Sequence, residues 1–224
     1  MQNISTLVFD LDGTISDPSL GISRSLNYAL STYGFPEVPA MEISAEIGRP
    51  LDETFRKFSP DSDPTVIAKL IAAYRERYAE IGYSENQIYP GISESLQILS
   101  DNGIRMGVCT SKRKDFAEKI LDLFGVRSYF QFVNGGDIGI HKRDQLGELL
   151  RELEIDPLAV MIGDRDVDIS SAKANRLRSI GVLWGFGSLA ELRGVGADLI
   201  LFSTTELTQL NTSNARIRAA SEQI

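Results

Sequence analysis

The stretch Leu7-Val8-Phe9-Asp10-Leu11-Asp12-Gly13-Thr14 decides how the rest of the chain reads. Its first three residues form a short aliphatic and aromatic run of the kind buried in a parallel sheet. Two carboxylates follow, two positions apart, and then a glycine and a threonine. Like charges this close repel, and a chain that needed only solubility would spread them. Pairing them at a strand end makes sense around a divalent cation, because carboxylate oxygens suit Mg²⁺ held beside phosphate oxygens.

Working outward, five further runs read as buried strands: 104–109, 130–133, 159–162, 179–183 and 198–201. Amphipathic helical stretches separate most of them, such as Phe116, Ile120, Leu121 and Leu123 before Gly125, and Leu146, Leu149, Leu150 and Leu153. This alternation predicts an α/β fold, a doubly wound, Rossmann-like parallel sheet with helices on both faces. Residues 16–85 break the rhythm and read as nearly all helical, over 20–33, 41–47, 51–58 and 64–81, with no strand candidate between them. The expected organisation is a discontinuous catalytic core of residues 1–15 and 86–210 with an inserted helical cap of residues 16–85. The joints fall at Ser16-Asp17-Pro18 and at 82–90, and residues 211–224 form a polar tail.

In doubly wound sheets ligands bind beyond the carboxyl ends of the strands. The residues after each predicted strand therefore share one rim: Asp10 and Asp12; Thr110, Ser111 and Lys112; then Asp164 and Asp168, with Lys142 opening a helix. Asp10, Asp12, Asp164 and Asp168 are candidates for holding a cation. Thr110 can hydrogen-bond a phosphate oxygen, and Lys142 can neutralise phosphate charge. Lys112 is an alternative phosphate-binding cation; otherwise it belongs with Arg113 and Lys114 to a solvated basic run. Asp164 and Asp168 also have a simpler reading, as a helix N-cap and a surface charge.

Composition narrows the field. The 224 residues carry 23 basic and 31 acidic side chains, a net of −8, which argues against a nucleic acid polymer or an anionic membrane as partner. No run approaches the ~20 apolar residues of a membrane span. The single cysteine, Cys109, allows no internal disulfide and fits a cytoplasmic location. The lone His141 excludes a His-rich zinc site.

The motifs Asp10-x-Asp12-Gly13-Thr14, Thr110, Lys142 and Gly163-Asp164-x-x-x-Asp168, in that order, resemble those of the haloacid dehalogenase superfamily across the whole chain. The stretches at 89–91, 110–112, 161–165 and 180–185 are similar to its phosphoglycolate phosphatase-like subgroup. The resemblance implies a phosphatase with Mg²⁺ as cofactor. Asp10 would be the nucleophile that forms an aspartyl-phosphate, and Asp12 the acid and base. The metal would be held by Asp10, the Asp12 backbone carbonyl and Asp164, with Asp168 in support. Thr110 and Lys142 would bind the transferring group. Thr14, Ser111 and Arg49, the last in the loop 47–51, are the expected substrate contacts. The lysine motif departs from the family's pattern, since proline often follows the lysine and here the run is His141-Lys142-Arg143.

The expected reaction is hydrolysis of small phosphate esters, with phosphoglycolate and nucleoside 5′-monophosphates as the leading substrates. A 5′-nucleotidase or a sugar-phosphate mutase of the same superfamily is the alternative. A receiver-like phospho-acceptor domain gathers similar groups, but its hydroxyl and lysine come last in the chain and it has no room for a helical insert of ~70 residues. Oligomeric state stays open between monomer and dimer.

Overall fold

The computed structural model describes residues 4–60, 63–137 and 139–210; the tail expected over 211–224 lies outside them. Its strands are β1 (Thr6–Phe9), β2 (Ser16–Asp17), β3 (Gln87–Ile88), β4 (Arg105–Thr110), β5 (Phe132–Gly135), β6 (Val160–Gly163), β7 (Arg178–Val182) and β8 (Leu199–Leu201). Its helices are α1 (Ser19–Thr32), α2 (Ala40–Ser44), α3 (Leu51–Phe58), α4 (Pro64–Glu80), α5 (Ile92–Asp101), α6 (Lys114–Leu123), α7 (Lys142–Arg151), α8 (Asp166–Ala174) and α9 (Leu189–Gly194).

Six strands form one parallel sheet in the order β5-β4-β1-β6-β7-β8. The chain steps from β1 to β4 and out to β5, then returns past β1 to β6. The strand order therefore reverses at the β1/β6 boundary, which opens a crevice at their carboxyl ends. Alternation along β1 sends Leu7 and Phe9 into one core with Met106, Val108, Leu96 and Ile120. Val8 enters the opposite core with Cys109, Met161, Leu146 and Leu149. Both faces are buried, which is why β1 reads as a continuous apolar run rather than an alternating one. Full burial of each such side chain contributes about 1.5–3 kcal/mol.

Helices α1 to α4 build a third core around Leu26, Leu30, Phe55, Leu70, Tyr74 and Tyr78. At the start of α4 the Asp63 carboxylate accepts from Thr65 N (2.7 Å) and Val66 N (3.0 Å), and Pro64 supplies a preset φ in the first turn. Phe116 of α6 joins this core, edge-on to Tyr78 with ring centroids 5.3 Å apart.

Two details differ from the sequence reading. The third core strand begins at Phe132 rather than Phe130. Phe130 follows a 3₁₀ turn (Arg127–Tyr129) and is buried edge-on against Phe9, so its apolar character serves loop packing and not a strand. And β2 and β3, at the two segments where joints were expected, pair antiparallel with Ser16 opposite Ile88 and Asp17 opposite Gln87. Strands of two residues show no periodicity, so the pattern of side chains carried no trace of them.

Candidate active site

The backbone N–H of Asp10 donates to Ile162 O at 2.8 Å, so the loop that leaves β1 is fastened to β6 from its first residue. The loop then turns tightly. Leu11 O accepts from the backbone N–H groups of Thr14, Ile15 and Ser16, and Gly13 N donates to Ser16 O. Gly13 sits at φ +84°, where only glycine is unstrained. A Cβ there would lie 2.3 Å from Asp164 Oδ2, so glycine is also what lets the two loops meet. Trp184 Nε1 donates to Thr14 O (2.9 Å) and braces the turn from the side.

Asp164, one residue past β6, is wholly buried. Its Oδ2 accepts from Phe186 N at 2.8 Å. Gly185 and Gly187 bring the backbone close enough for this: a Cβ at 185 would lie 2.2 Å from Gly13 O, and one at 187 would lie 1.8 Å from Asp164 O. Asp164 Oδ1 has no hydrogen-bond partner among the described residues. Burial first, then the nearby Asp168 and Asp10 charges, push the Asp164 carboxyl well above its ordinary range, against the pull of the Phe186 N–H.

Lys142, the first residue of α7, is buried with its Nζ 3.0 Å from Asp10 Oδ1 and paired with Asp168 Oδ1. Burial works against its charge, but Asp10 and Asp168 overcome that and raise its pKa. Asp168 lies in the first turn of α8, where Oδ2 accepts from Arg165 N at 3.0 Å. It is thus a helix-capping group, and it is also buried in the site rather than at the surface. Burial lifts its carboxyl to about 6, with Lys142 pulling the other way. Asp10, Asp164 and Asp168 each offer a carboxylate oxygen, and the three atoms lie within 4.8 Å of one another. Three buried oxygen donors, one carboxylate with a free oxygen and repulsion that a cation would relieve together suit a hard divalent ion.

The Asp12 side chain is engaged elsewhere: its Oδ2 is 2.8 Å from Lys112 Nζ. Burial raises the Asp12 carboxyl above its ordinary value even though Lys112 opposes it. Lys112 is itself buried, donates to the Tyr78 hydroxyl at 2.8 Å and sits 4.7 Å from that ring's centroid. Lys112 therefore does not belong to a solvated basic run. Only its neighbours do: Arg113 pairs with Asp115 at the surface and Lys114 is exposed. The signal for Lys112 was its place two residues beyond the end of a parallel strand. Nothing in the sequence marked Tyr78, which arrives from α4.

Thr110 ends β4, with Oγ1 accepting from Lys112 N (3.2 Å) and its carbonyl from Gln145 Nε2 (3.2 Å). Thr110, Ser111 and Arg49 line a cavity of about 140 Å³ between the strand ends and helices α1 to α4, together with Asp10 and Asp12. Thr14 is wholly buried within its turn, with Oγ1 unpartnered among the described residues. The far wall of the cavity is apolar, with Ile22, Leu26, Ile43, Tyr74 and Phe116. The cations around it face carboxylates: Arg49 is 3.7 Å from Glu46, Arg75 2.5 Å from Asp137, Lys112 2.8 Å from Asp12 and Arg113 2.9 Å from Asp115.

The family model described as haloacid dehalogenase-like hydrolase matches residues 7–182. Among curated proteins, a 5′-nucleotidase of Pseudomonas aeruginosa is 36% identical over 192 residues, 84% of this chain and 86% of that protein. A phosphoglycolate phosphatase of Aquifex aeolicus is 29% identical over 82% of this chain and 86% of its own. The tyrosine-protein kinase PtkA of Mycobacterium tuberculosis is 33% identical over 81% of this chain, but only 62% of PtkA is covered. Among solved structures, a predicted phosphatase from Clostridium acetobutylicum superposes with a TM-score of 0.86 at 33% identity, covering 93% of this chain and 98% of that one. The chain belongs to the haloacid dehalogenase-like hydrolases, as a phosphatase.

Proposed function

We propose that this protein is a Mg²⁺-dependent phosphomonoester hydrolase that works through an aspartyl-phosphate on Asp10. The observation that carries the reading is the buried group of Asp10, Asp164 and Asp168 with Lys142 wedged among them, at the crevice where the strand order reverses. Asp10 and Asp164 would hold the metal with the Asp12 backbone carbonyl, and Asp168 would support it while anchoring Lys142. When bound, Mg²⁺ supplies positive charge to the phosphoryl oxygens and offsets the repulsion among the carboxylates.

Asp10 attacks phosphorus, forming the new P–O bond as the ester P–O bond breaks. Asp12 gives its proton to the departing alkoxide. It then takes a proton from the water that attacks the phosphoenzyme, which releases phosphate and restores Asp10. Lys142 and the Thr110 hydroxyl bind the transferring group, and their fixed charge and dipole favour the charge spread of the transition state. Helices within residues 16–85 act as a cap that excludes water from this step.

The cavity favours one substrate class. Phosphoglycolate carries a second acid group, and the cations near the cavity already face carboxylates. The apolar wall suits an uncharged leaving group with a flat or greasy body, as in a nucleoside 5′-monophosphate. A cytoplasmic setting is part of this reading, since such esters are intracellular metabolites and no helix among the described residues is long and apolar enough to cross a membrane.

The test is phosphate release from a panel of nucleoside 5′-monophosphates, phosphoglycolate, hexose phosphates and pyrophosphate, with Mg²⁺ or with chelator. Turnover of nucleotides that chelator abolishes, and that Asp10→Asn reduces on the order of 10⁴-fold or more, supports the proposal. Undiminished hydrolysis in metal-free buffer ends it. Isomerisation of a hexose phosphate without phosphate release would make the protein a mutase instead.

A further inference from the structure

Arg165 has no assigned part in the chemistry described above, yet it touches both halves of the molecule. It directly follows Asp164, and its backbone N–H donates to Asp168 Oδ2. Its side chain is only 8% exposed, an unusual place for a guanidinium without a task. Nε donates to Glu191 Oε1 at 2.9 Å. Nη1 donates to two backbone carbonyls beyond α2, Ala45 O at 3.1 Å and Ile47 O at 2.9 Å. Glu191 is itself fixed: Oε1 also accepts from Asp166 N, and Glu191 N donates to Ser188 Oγ.

The segment held in this way is the one that faces the cavity with Ile47 and Arg49. Its own hydrogen bonds are those of an irregular turn, Glu46 N to Ile43 O, Ile47 N to Ser44 O and Arg49 N to Glu46 O. Gly48 in its middle stands at φ +92°, and a Cβ there would come within 3.3 Å of Arg165 Cγ. The turn therefore rests against the Arg165 stem as well as on its head group. One planar guanidinium can serve three acceptors in different directions at once, which an ammonium on a flexible stem cannot do with the same geometry.

We infer that Arg165 is a positioning residue that fixes the turn of residues 45–49 over the cavity, and so sets selection for the body of the substrate rather than for its phosphoryl group. The kinetic part of this inference rests on the phosphatase reading; the structural part does not. Arg165 touches no reacting atom, so its loss should weaken contacts shared by ground and transition states and raise KM more than it lowers kcat.

The experiment compares the full-length protein with R165M and R165K. Backbone hydrogen exchange is followed at residues 46, 47 and 49, with β1 and β6 as internal reference. Steady-state kinetics use adenosine 5′-monophosphate and acetyl phosphate, the second too short to span the cavity. In R165M the amides of the turn are expected to exchange roughly ten-fold faster while β1 and β6 keep their protection. KM for the nucleotide should rise roughly ten-fold and kcat/KM for acetyl phosphate should move less than about three-fold. R165K keeps the charge without the fork, should show the same changes at lower amplitude, and decides the matter if R165M does not fold. Unchanged exchange in the turn overturns the inference, and so do equal losses on the two substrates. Wild-type protein that hydrolyses neither compound sinks the phosphatase reading alone, and the exchange result still decides the role of Arg165.

Discussion

Lys112 Nζ lies 2.8 Å from Asp12 Oδ2, and the same ammonium is held from behind by the Tyr78 hydroxyl. The acid–base candidate is thus oriented by a side chain of the loop after β4, and that side chain is oriented by helix α4. Replacing the cation while keeping its bulk, in K112M, leaves Asp12 buried without a partner. We expect kcat to fall on the order of ten- to a hundred-fold, part of what a general acid contributes. Y78F removes one hydrogen bond and keeps the ring, and should cost only about 1 kcal/mol of stability. Single-turnover kinetics and thermal melts separate the two, and an undiminished kcat in K112M would show that Asp12 needs no orienting partner.

Mg²⁺ should stabilise the fold strongly. The buried carboxylates repel in its absence, and any ion that binds only the native state raises its stability by mass action, about 2.7 kcal/mol at a hundred times Kd. For a chain of this size that is a rise of roughly 5–10 °C in Tm. Differential scanning fluorimetry of metal-stripped protein, with and without Mg²⁺, measures it. D164N should abolish most of the shift, and a full shift in that variant would remove Asp164 from the metal site.

Gly13 offers a steric test of the same contact. Alanine there faces both a left-handed backbone and an approach of 2.3 Å to Asp164 Oδ2. G13A should therefore lose turnover and the Mg²⁺-induced rise in Tm together, because relief of the clash displaces the carboxylate. Circular dichroism of the variant checks that the sheet survives. Retention of the Mg²⁺ response would mean that the two loops separate without consequence.

At the joint between helices and sheet, Glu85 accepts from Arg77 and from Arg24, and these hydrogen bonds hold its carboxyl below its ordinary range. A folded-state pKa below the unfolded value gives stability that is present above the unfolded pKa and is lost as pH falls through the folded one. E85Q should therefore lower Tm by roughly 1–4 °C at pH 7, with the gap closing below about pH 4. Melts of both proteins from pH 3 to 8 test the sign, and a gap that widens in acid would contradict it.

The parallel core was legible because its central strands β1, β4 and β6 are buried on both faces and each runs out into a distinctive polar residue. Asp10, Asp164, Asp168 and Lys142 could be anticipated for that reason, as groups that topology must bring to one edge. Three features were not legible. Tyr78 meets Lys112 only through the packing of α4, a relation between segments that no local spacing encodes. The brace at Phe186 acts through a backbone N–H, which any residue but proline would supply. Arg165 stood out only as part of the stretch 161–165, with no role of its own, and its burial depends on where the turn after α2 comes to rest.

Because Ser16 lies opposite Ile88 in the β2–β3 ribbon, the chain leaves the sheet and comes back to it at neighbouring points. Everything strung between those points is, in effect, a cassette plugged into a two-pin socket. A graft that swaps the intervening helices for those of a relative need respect this pair of strands and the few contacts described above, at Lys112 and at Arg165. The hydrolytic half could then be inherited unchanged while the choice of metabolite is exchanged wholesale.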